Sequence, residues 1–301
     1  MSSESKYTLY QGDCLKYLRK GAIKDVHLTF VDPPFNQGKD YKYFNDTQPE
    51  KMYWSWLQEV MREVYKVTAN GGSIYFMQRE KNTEHVMRVL REAGWVFQNL
   101  IIWKKMTSAV PSRTRYSKQH QIIVFATKGK KPRLFNKLRI DPPKAPHHKY
   151  ERADGIYVTD VWDDIRELTS GYFAGDEAIR NSRGERAHTQ QSPIALLLRI
   201  VLSSTKPEDT VFDPFAGTGV TLVVSSQLQR NSIGIEIDPE YTKLIRKRLQ
   251  SLRPADSILK YYSYYKYTPN LKEIWPSPQS LIAKQKRGEK IYLNLVKEDE
   301  S

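Results

Sequence analysis

The chain has 301 residues, of which 39% are hydrophobic, and it carries 48 lysines and arginines against 34 aspartates and glutamates. This apolar share is enough for a sizeable core and excludes a largely disordered chain. The single cysteine, Cys14, excludes internal disulfides and cysteine-based zinc clusters. Since no apolar run is long enough to cross a membrane and residues 1–4 do not resemble a signal peptide, we expect a soluble cytoplasmic protein with no membrane partner.

The positive charge is concentrated in one part of the chain. The formal net charge is +14, and the stretch from Lys104 to Lys149 contains thirteen lysines and arginines but a single acid, Asp141. A solvated basic face is one interpretation, but this segregation favours a polyanionic partner, and nucleic acid is the natural one. The residues that we expect to contact it are Lys104, Arg113, Arg115, Lys118, His120, Lys128, Lys130, Lys131, Arg133, Lys137 and Arg139.

The first part of the chain alternates between strand and helix patterns. Residues 7–10 and 26–31 are short β-branched and aromatic runs typical of buried parallel strands. Residues 53–67 carry apolar side chains at helical spacing, and the segment 70–72 (NGG) is expected to end that helix. The other elements predicted here are strands at 73–77 and 121–126, a helix at 82–92 and an apolar run at 95–103.

The periodicity is lost between about residues 130 and 187 and then returns. Helices are predicted at 193–204, 218–228 and 239–252, and strands at 210–213 and 232–237. Strands alternating with helices predict an α/β fold with a doubly wound, mostly parallel Rossmann-like sheet. We therefore predict a catalytic domain formed by residues 1–129 and 188–252, an inserted target-recognition region at 130–187, and a C-terminal extension at 253–301 with no assigned role.

A glycine-containing turn follows the strand at 210–213. The segment 213–219 (DPFAGTG) leads into a helix, where glycines let a ligand approach the backbone and the helix N-terminus offers unpaired amides. The next strand ends at Glu236 and Ile237, so an acid follows at about the distance at which it would meet a nucleoside ribose. A glycine turn that only packs a strand against a helix is the alternative. Together, the turn and the acid favour an adenosine-containing cofactor, and because no lysine follows Gly219, a nucleoside triphosphate is disfavoured.

A second chemical motif, DPPF, follows the strand at 26–31. Exocyclic amines of nucleic-acid bases are poor nucleophiles, because the nitrogen lone pair is delocalised into the ring. An enzyme that alkylates such an amine needs acceptors for its hydrogens and a flat surface for the base. Asp32, the Pro33 carbonyl and the Phe35 ring would supply them. A simple turn is the alternative interpretation, and we assign that role to the second Asp-Pro-Pro at 141–143, which follows no predicted strand.

These motifs resemble those of the amino-methylating DNA methyltransferases that use S-adenosyl-L-methionine. The catalytic motif at 32–35, the cofactor motif at 212–219 and the segment 188–193 (HTQQSP, similar to the family's HPTQKP) carry the likeness, which extends over residues 6–250. Their order is typical of the β group. The resemblance implies methylation of a flipped base in double-stranded DNA, adenine N6 rather than cytosine N4 because the motif begins with Asp. A cytosine-N4 enzyme is the main alternative, and an RNA methyltransferase or a silent DNA-binding protein is less favoured. A restriction endonuclease and a second copy of the chain are further candidate partners.

The resemblance also assigns residues to roles. The catalytic residues would be Asp32, Pro33, Pro34 and Phe35. The cofactor-binding residues would be Asp13, Cys14, Asp32, Thr189, Gln190, Asp213, Phe215, Ala216, Gly217, Thr218, Gly219, Glu236 and Ile237. The chain departs from the family pattern at Ser192, where the family has Lys, and lacks a proline after His188.

Two further parts of the sequence bear on a target-base pocket and on a metal site. The pairs 103–104 and 119–121 resemble the wall of a target-base pocket, with His120 either in the pocket or in an ordinary structural position. His147 and His148 are adjacent and have no acidic cluster beside them, so we expect no metal site.

Overall fold

The computed structural model describes residues 5–106, 112–141, 153–168, 175–180, 184 and 191–276. The strands are β1 (Tyr7–Gln11), β2 (Val26–Val31), β3 (Asp40–Tyr41), β4 (Phe44–Asn45), β5 (Thr68–Arg79), β6 (Val96–Lys104), β7 (His120–Thr127), β8 (Arg139–Ile140), β9 (Ile156–Tyr157), β10 (Val161–Trp162), β11 (Thr210–Asp213) and β12 (Asn231–Glu236). The α-helices are α1 (Cys14–Arg19), α2 (Glu50–Val67), α3 (Thr83–Glu92), α4 (Ile194–Ser204), α5 (Val220–Gln227), α6 (Pro239–Gln250) and α7 (Leu271–Ile274).

Eight strands form one sheet in the order β1-β12-β11-β2-β5-β7-β6-β10. Strand β7 is antiparallel to β5 and β6, and the other pairs are parallel. The parallel strands therefore all end at one edge of the sheet, which we call the carboxyl edge, while β7 begins there and ends at the opposite, amino edge. The prediction of a doubly wound, mostly parallel sheet is confirmed.

Helices cover both faces of the sheet. One face packs against α1, α2 and α3, where the apolar positions of α2 that recur at helical spacing, such as Leu57 and Val64, are fully buried. The other face packs against α4, whose side chains are almost all apolar and buried, and against α5. Helix α6 begins at Pro239 because the Asp238 side chain accepts a hydrogen bond from the Glu240 amide. None of the helices in the described ranges is both long and apolar enough to span a membrane.

Gly71 and Gly72 lie within β5, whereas the sequence predicts that they end a helix. The Gly71 amide donates to the Lys128 carbonyl at 2.7 Å, and the Lys128 amide donates to the Gly72 carbonyl at 2.9 Å. These backbone bonds extend the ladder between β5 and β7 past the point where local sequence favours a turn. Gly71 has a φ of +73°, and a Cβ there would lie 2.8 Å from Arg133.

Residues outside the predicted catalytic domain complete the same core. Strand β10, from the predicted insertion, adds the last strand of the sheet by pairing with β6. Beyond residue 252, the side chains of Ile258, Tyr265 and Trp275 are buried in the cluster that also contains α4. The buried Arg230 guanidinium donates to the Ile274 carbonyl at 2.6 Å and so fixes α7 to the end of α5. Residues 253–276 are therefore part of the core.

Candidate active site

A cavity of about 570 Å³ opens at the carboxyl edge of the sheet, within the size range of ligand sites. It brings together residues that follow β1, β2, β11 and β12, although they are far apart in the sequence. The predicted site residues that line it are Asp13, Cys14, Asp32, Pro33, Pro34, Asp213, Phe215, Ala216, Gly217, Thr218, Glu236 and Ile237. Thr189 and Gln190 lie outside the described residues.

Asp213 organises the glycine turn after β11. Its carboxylate accepts hydrogen bonds from the Phe215 amide at 3.0 Å and from the Thr221 hydroxyl at 2.6 Å. Burial raises the pKa of Asp213 to about 6, and these two donors oppose the rise. Asp213 thus holds the turn that exposes the backbone of residues 214–218 to the cavity.

The two glycines of this turn have different roles. Gly217 lines the cavity with a φ of +52°, and its amide donates to the Glu236 carboxylate at 2.6 Å. Gly219 has a φ of +78°, and a Cβ there would lie 2.8 Å from Ile245 in α6. Gly219 does not line the cavity. Gly219 therefore has a packing role, because α6 crosses closely over the start of α5, and its cofactor contact stays a prediction.

Glu236 ends β12 and joins the two halves of the cofactor motif. Its carboxylate accepts from the Gly217 amide and, at 2.8 Å, from the Asp238 amide. Burial raises the pKa of Glu236 to about 7, and the nearby charges of Asp213 and Asp238 raise it further. The acid predicted to meet a ribose is thus fixed in place, with its remaining lone pairs available to hydroxyl donors.

Asp32 follows β2 and faces the same cavity. The Ser192 hydroxyl donates to its Oδ2 atom at 3.1 Å. Burial raises the pKa of Asp32 to about 7 and Asp213 adds to the rise, whereas the Ser192 hydrogen bond and the charges of Lys105 and Lys39 lower it. Asp32 is therefore a hydrogen-bond acceptor whose ionisation depends on its immediate surroundings.

The rest of the catalytic motif differs partly from expectation. The Tyr53 hydroxyl donates to the Pro34 carbonyl at 2.5 Å and so fixes the backbone after Asp32. The Phe35 ring, which was predicted to support the base, is only 3% exposed and does not line the cavity. The exposed ring surfaces come instead from other elements, including Tyr41 and Phe44 of the hairpin formed by β3 and β4 and Trp56 of α2. No sequence signal marked these aromatic residues.

Lys105 is a further residue that the sequence analysis missed. Its ammonium lies 3.2 Å from the centroid of the Trp103 ring, and it is mostly withdrawn from solvent. Burial lowers the pKa of Lys105 to about 8, while the charges of Glu167 and Asp32 raise it. Glu167 is held in place by accepting from the Met106 amide at 2.9 Å. Lys105 comes directly after β6, and strand alternation continued by one residue would place it on the same face as the buried Trp103, whereas Lys104 is exposed.

The predicted nucleic-acid contacts are divided between the two edges of the sheet. Lys104 and His120 lie at the carboxyl edge, where β6 ends and β7 begins, and the exposed segment 112–119 lies between them in the chain. That segment contains Arg113, Arg115 and Lys118, and Lys118 forms an ion pair with Glu80.

The other basic residues follow the end of β7, at the amino edge. Lys128 donates to the Tyr65 carbonyl at 2.9 Å and the Thr68 carbonyl at 2.7 Å, and Arg133 pairs with Asp209. Lys130 and Lys131 are exposed beside them, and Lys137 is exposed further along the chain. Because β7 is eight residues long, its two ends are roughly 24 Å apart. The basic residues that the structure describes in this stretch therefore lie at two opposite edges of the sheet rather than together around the cavity.

Two smaller predictions concern Arg139 and metal ions. The Arg139 guanidinium stacks 4.7 Å from the Tyr157 ring and donates to the Gly155 carbonyl at 3.2 Å, which joins β8 to the start of β9. Within the described part of the chain, no group of three or more His, Cys, Asp or Glu side chains could hold a metal ion. His147 and His148 lie outside the described residues.

Comparison with known proteins identifies the family. Residues 26–247 match the family model of the N6 and N4 DNA methylases, which is most of the chain. The chain belongs to this family. A curated relative, the DNA adenine methyltransferase YhdJ of Escherichia coli strain K12, is 31% identical over 259 residues, covering 80% of this chain and 82% of the relative.

Solved structures share the fold. The M1.HpyAVI–SAM complex aligns with a TM-score of 0.53 and 24% identity over 81% of this chain and 98% of that one. The cytosine-N4-specific PvuII DNA methyltransferase aligns with a TM-score of 0.60 and 18% identity over 89% of this chain and 94% of that one. The predicted family, Rossmann-like fold and enzyme class are confirmed, and the first of these solved structures is a complex with S-adenosylmethionine, the predicted cofactor.

The residues present in the cavity fit this cofactor. The buried carboxylates of Asp213 and Glu236 favour a ligand with hydroxyl donors and positive charge, and S-adenosylmethionine has a ribose and a sulfonium. The Gly217 backbone, which has no side chain to block it, allows the ligand to approach closely.

Proposed function

We propose that this protein methylates the N6 amine of an adenine that has been flipped out of double-stranded DNA. The observation that carries the proposal is the position of Asp32, a carboxylate at a strand end that opens into the same cavity as Asp213 and Glu236. One cavity can then hold both the methyl donor and the target amine.

The proposed division of labour follows the two ends of the cavity. Glu236 and the turn at 213–218 bind and orient the cofactor, which supplies an electrophilic methyl group when bound. Asp32 accepts a hydrogen bond from the target amine, which directs the nitrogen lone pair away from the ring and toward that methyl group. Orientation of the two groups within one cavity accounts for much of the expected rate enhancement.

Lys105 and Trp103 are proposed to belong to the target-base side of the site. Their cation–π contact places a positive charge near the Asp32 carboxylate, and that charge favours the ionised, hydrogen-accepting form of Asp32. The Pro34 carbonyl, fixed by Tyr53, keeps the backbone after Asp32 rigid.

Adenine is favoured over cytosine as the target. The motif at 32–35 begins with Asp, and YhdJ, at 31% identity, is named a DNA adenine methyltransferase. Cytosine N4 is the second candidate, because the family model covers both chemistries and the PvuII enzyme, which shares the fold, is cytosine-N4-specific.

The duplex is proposed to lie along the carboxyl edge. Arg113, Arg115 and Lys118 would contact phosphates there, and the ring of Tyr116, which is 99% exposed, is available to contact DNA. Base flipping costs a few kcal/mol, which phosphate contacts would offset. Lys128, Lys130, Lys131 and Arg133 are not part of this proposed footprint because they lie at the amino edge. A restriction endonuclease partner and a homodimer remain predictions.

The proposal is tested by transfer of a labelled methyl group from S-adenosylmethionine. The substrates are duplex DNA, the same sequence as single strands, and the same sequence as RNA. We expect label in the duplex, little in RNA, and none in any substrate with Asp32→Asn. Preferential labelling of RNA, or unchanged labelling by the Asp32 variant, would contradict the proposal.

A further inference from the structure

A neutral hydroxyl holds one oxygen of the proposed catalytic carboxylate. The Ser192 Oγ atom donates to Asp32 Oδ2 at 3.1 Å, across 160 positions of sequence. The bond from Ser192 engages only one of the two carboxylate oxygens and leaves Oδ1 outside this contact. One carboxylate oxygen is thus held by Ser192, and Asp32 lines the cavity in which we expect the substrate to bind.

The backbone around Ser192 is fixed on both sides. The buried Gln191 side chain accepts from the Ile179 amide and donates to the Glu177 carbonyl, both at 3.0 Å. The Glu177 carboxylate accepts from the Ile194 amide at 2.6 Å, which caps the start of α4. Residues 175–180 therefore clamp the chain immediately before and after Ser192. These tertiary contacts, rather than the local sequence, set the position of the Ser192 hydroxyl.

Other groups near Asp32 are charged or phenolic, and they come from several elements. Asp213 approaches from β11, Lys39 from the loop after β2, and Lys105 from the end of β6. The negative charge of Asp32 contributes to the raised pKa of Tyr41 in β3 and of Tyr53 in α2. Ser192 differs from these neighbours in chemistry, because it is a neutral aliphatic hydroxyl that donates a hydrogen bond to the carboxylate.

We propose that Ser192 is a positioning residue that fixes the orientation of the Asp32 carboxylate, so that Oδ1 faces the target amine. This inference rests on the proposed role of Asp32. Ser192 stands where the family pattern has Lys, so the chain has replaced a long cation by a short hydroxyl that reaches Asp32 directly. Because a donor to a carboxylate stabilises its ionised form, the same bond keeps Asp32 in the state that accepts hydrogen.

The first test uses Ser192→Ala, Ser192→Thr and the control Ser232→Ala, which removes a buried hydroxyl that has no hydrogen-bond partner among the described residues. With Ser192→Ala we expect kcat at pH 7 to fall roughly tenfold and the acid limb of the kcat profile to move up by about one pH unit. The cofactor Kd should stay within about twofold, which is well under 1 kcal/mol. Ser192→Thr should restore both kcat and the profile, and Ser232→Ala should change neither.

Two results would overturn the proposal. An unchanged acid limb with a cofactor Kd raised tenfold or more would mean that Ser192, which also lines the cavity, serves the cofactor instead. An unchanged rate and an unchanged profile would mean that the bond has no catalytic consequence.

A second measurement separates failure of this inference from failure of the proposed function. The titration of Asp32 is followed by carboxyl carbon NMR in the ligand-free protein, with Asp32→Asn used for assignment. Ser192→Ala should move the Asp32 midpoint upward by about one unit whether or not the protein methylates adenine. An Asp32 midpoint that does not move refutes the inference, whereas the absence of methyl transfer by the wild-type protein refutes the proposed function.

Discussion

Asp32 follows β2 and Asp213 ends the neighbouring parallel strand β11, and the negative charge of Asp213 adds to burial in raising the pKa of Asp32 to about 7. The two carboxylates nevertheless have different partners. Asp213 accepts from the Phe215 amide of its own turn and from the Thr221 hydroxyl of α5, whereas the Oδ2 atom of Asp32 accepts from Ser192. One acid therefore builds the cofactor turn, and the other is available for the target base.

This separation predicts that Asp32→Ala abolishes methyl transfer and leaves cofactor affinity within a few-fold. The cofactor turn is held by Asp213 and Glu236, which the substitution does not touch. Calorimetric titration with S-adenosylmethionine measures the affinity, and Asp32→Asn is the control that keeps the size of the side chain. A loss of two orders of magnitude, about 2.7 kcal/mol, would show that Asp32 is itself a main cofactor contact.

Cofactor affinity should depend on pH through Glu236. Burial raises the pKa of this carboxyl to about 7 in the ligand-free protein, so at pH 6 about nine tenths of it is protonated. Since a protonated acid cannot accept from ribose hydroxyls as the carboxylate does, binding must release the proton, and affinity should fall about tenfold from pH 8 to pH 6.

The control for this dependence is Glu236→Gln, measured in the same buffers. Titration of the ligand itself is common to both proteins, so the difference between the two profiles isolates Glu236. The variant should bind more weakly at pH 8 and should show a flatter profile between pH 6 and 8. Parallel profiles for the two proteins would refute the assigned role of Glu236.

The division of the basic residues predicts different effects on the salt dependence of DNA binding. Replacing Arg113 and Arg115 together by Ala should flatten the log–log slope by roughly 2 if both contact phosphates. Replacing Lys130 and Lys131 together removes the same charge at the amino edge and should leave the slope unchanged. Binding to duplexes across a salt series measures both pairs, and equal flattening by the two would argue for a general charge effect rather than the proposed footprint.

Trp275 should be essential to stability although it lies beyond the predicted catalytic domain. The side chain is fully buried and packs edge-to-face on Tyr262 at 5.2 Å. Trp275→Ala should therefore lower the free energy of unfolding by about 3–5 kcal/mol, as measured by chemical denaturation. Tyr264→Ala, at a ring that is 55% exposed, should change it by under about 0.5 kcal/mol. If Trp275→Ala changed the free energy of unfolding as little as we expect for Tyr264→Ala, residues 253–276 would not be part of the core.

The sequence predicted those site residues whose chemistry is tied to a strand end. Asp32, Asp213 and Glu236 each lie at the carboxyl end of an apolar strand. Parallel strands bring these ends to one edge, so their meeting in one cavity follows from local patterns. The contact between Ser192 and Asp32 spans 160 positions and depends on the clamp at 175–180, which has no local signature.

Strand direction explains the largest difference between expectation and structure. The run at 121–126 was predicted as a strand, but its pattern does not state whether it runs parallel to its neighbours. Because β7 is antiparallel, it carries Lys128 and the residues after it to the amino edge, away from Asp32. Similarly, the aromatic residues after 252 gave no clear pattern, because they fill a core made mainly by α4 rather than a face of their own.

The most direct test of the proposed adenine methylation is to identify the methylated nucleoside. Duplex DNA is incubated with the protein and S-adenosylmethionine and digested to nucleosides, which are then separated and identified by mass spectrometry. We expect N6-methyladenine as the product and its loss with Asp32→Ala. N4-methylcytosine as the product, or a duplex that carries no added methyl group, would contradict it.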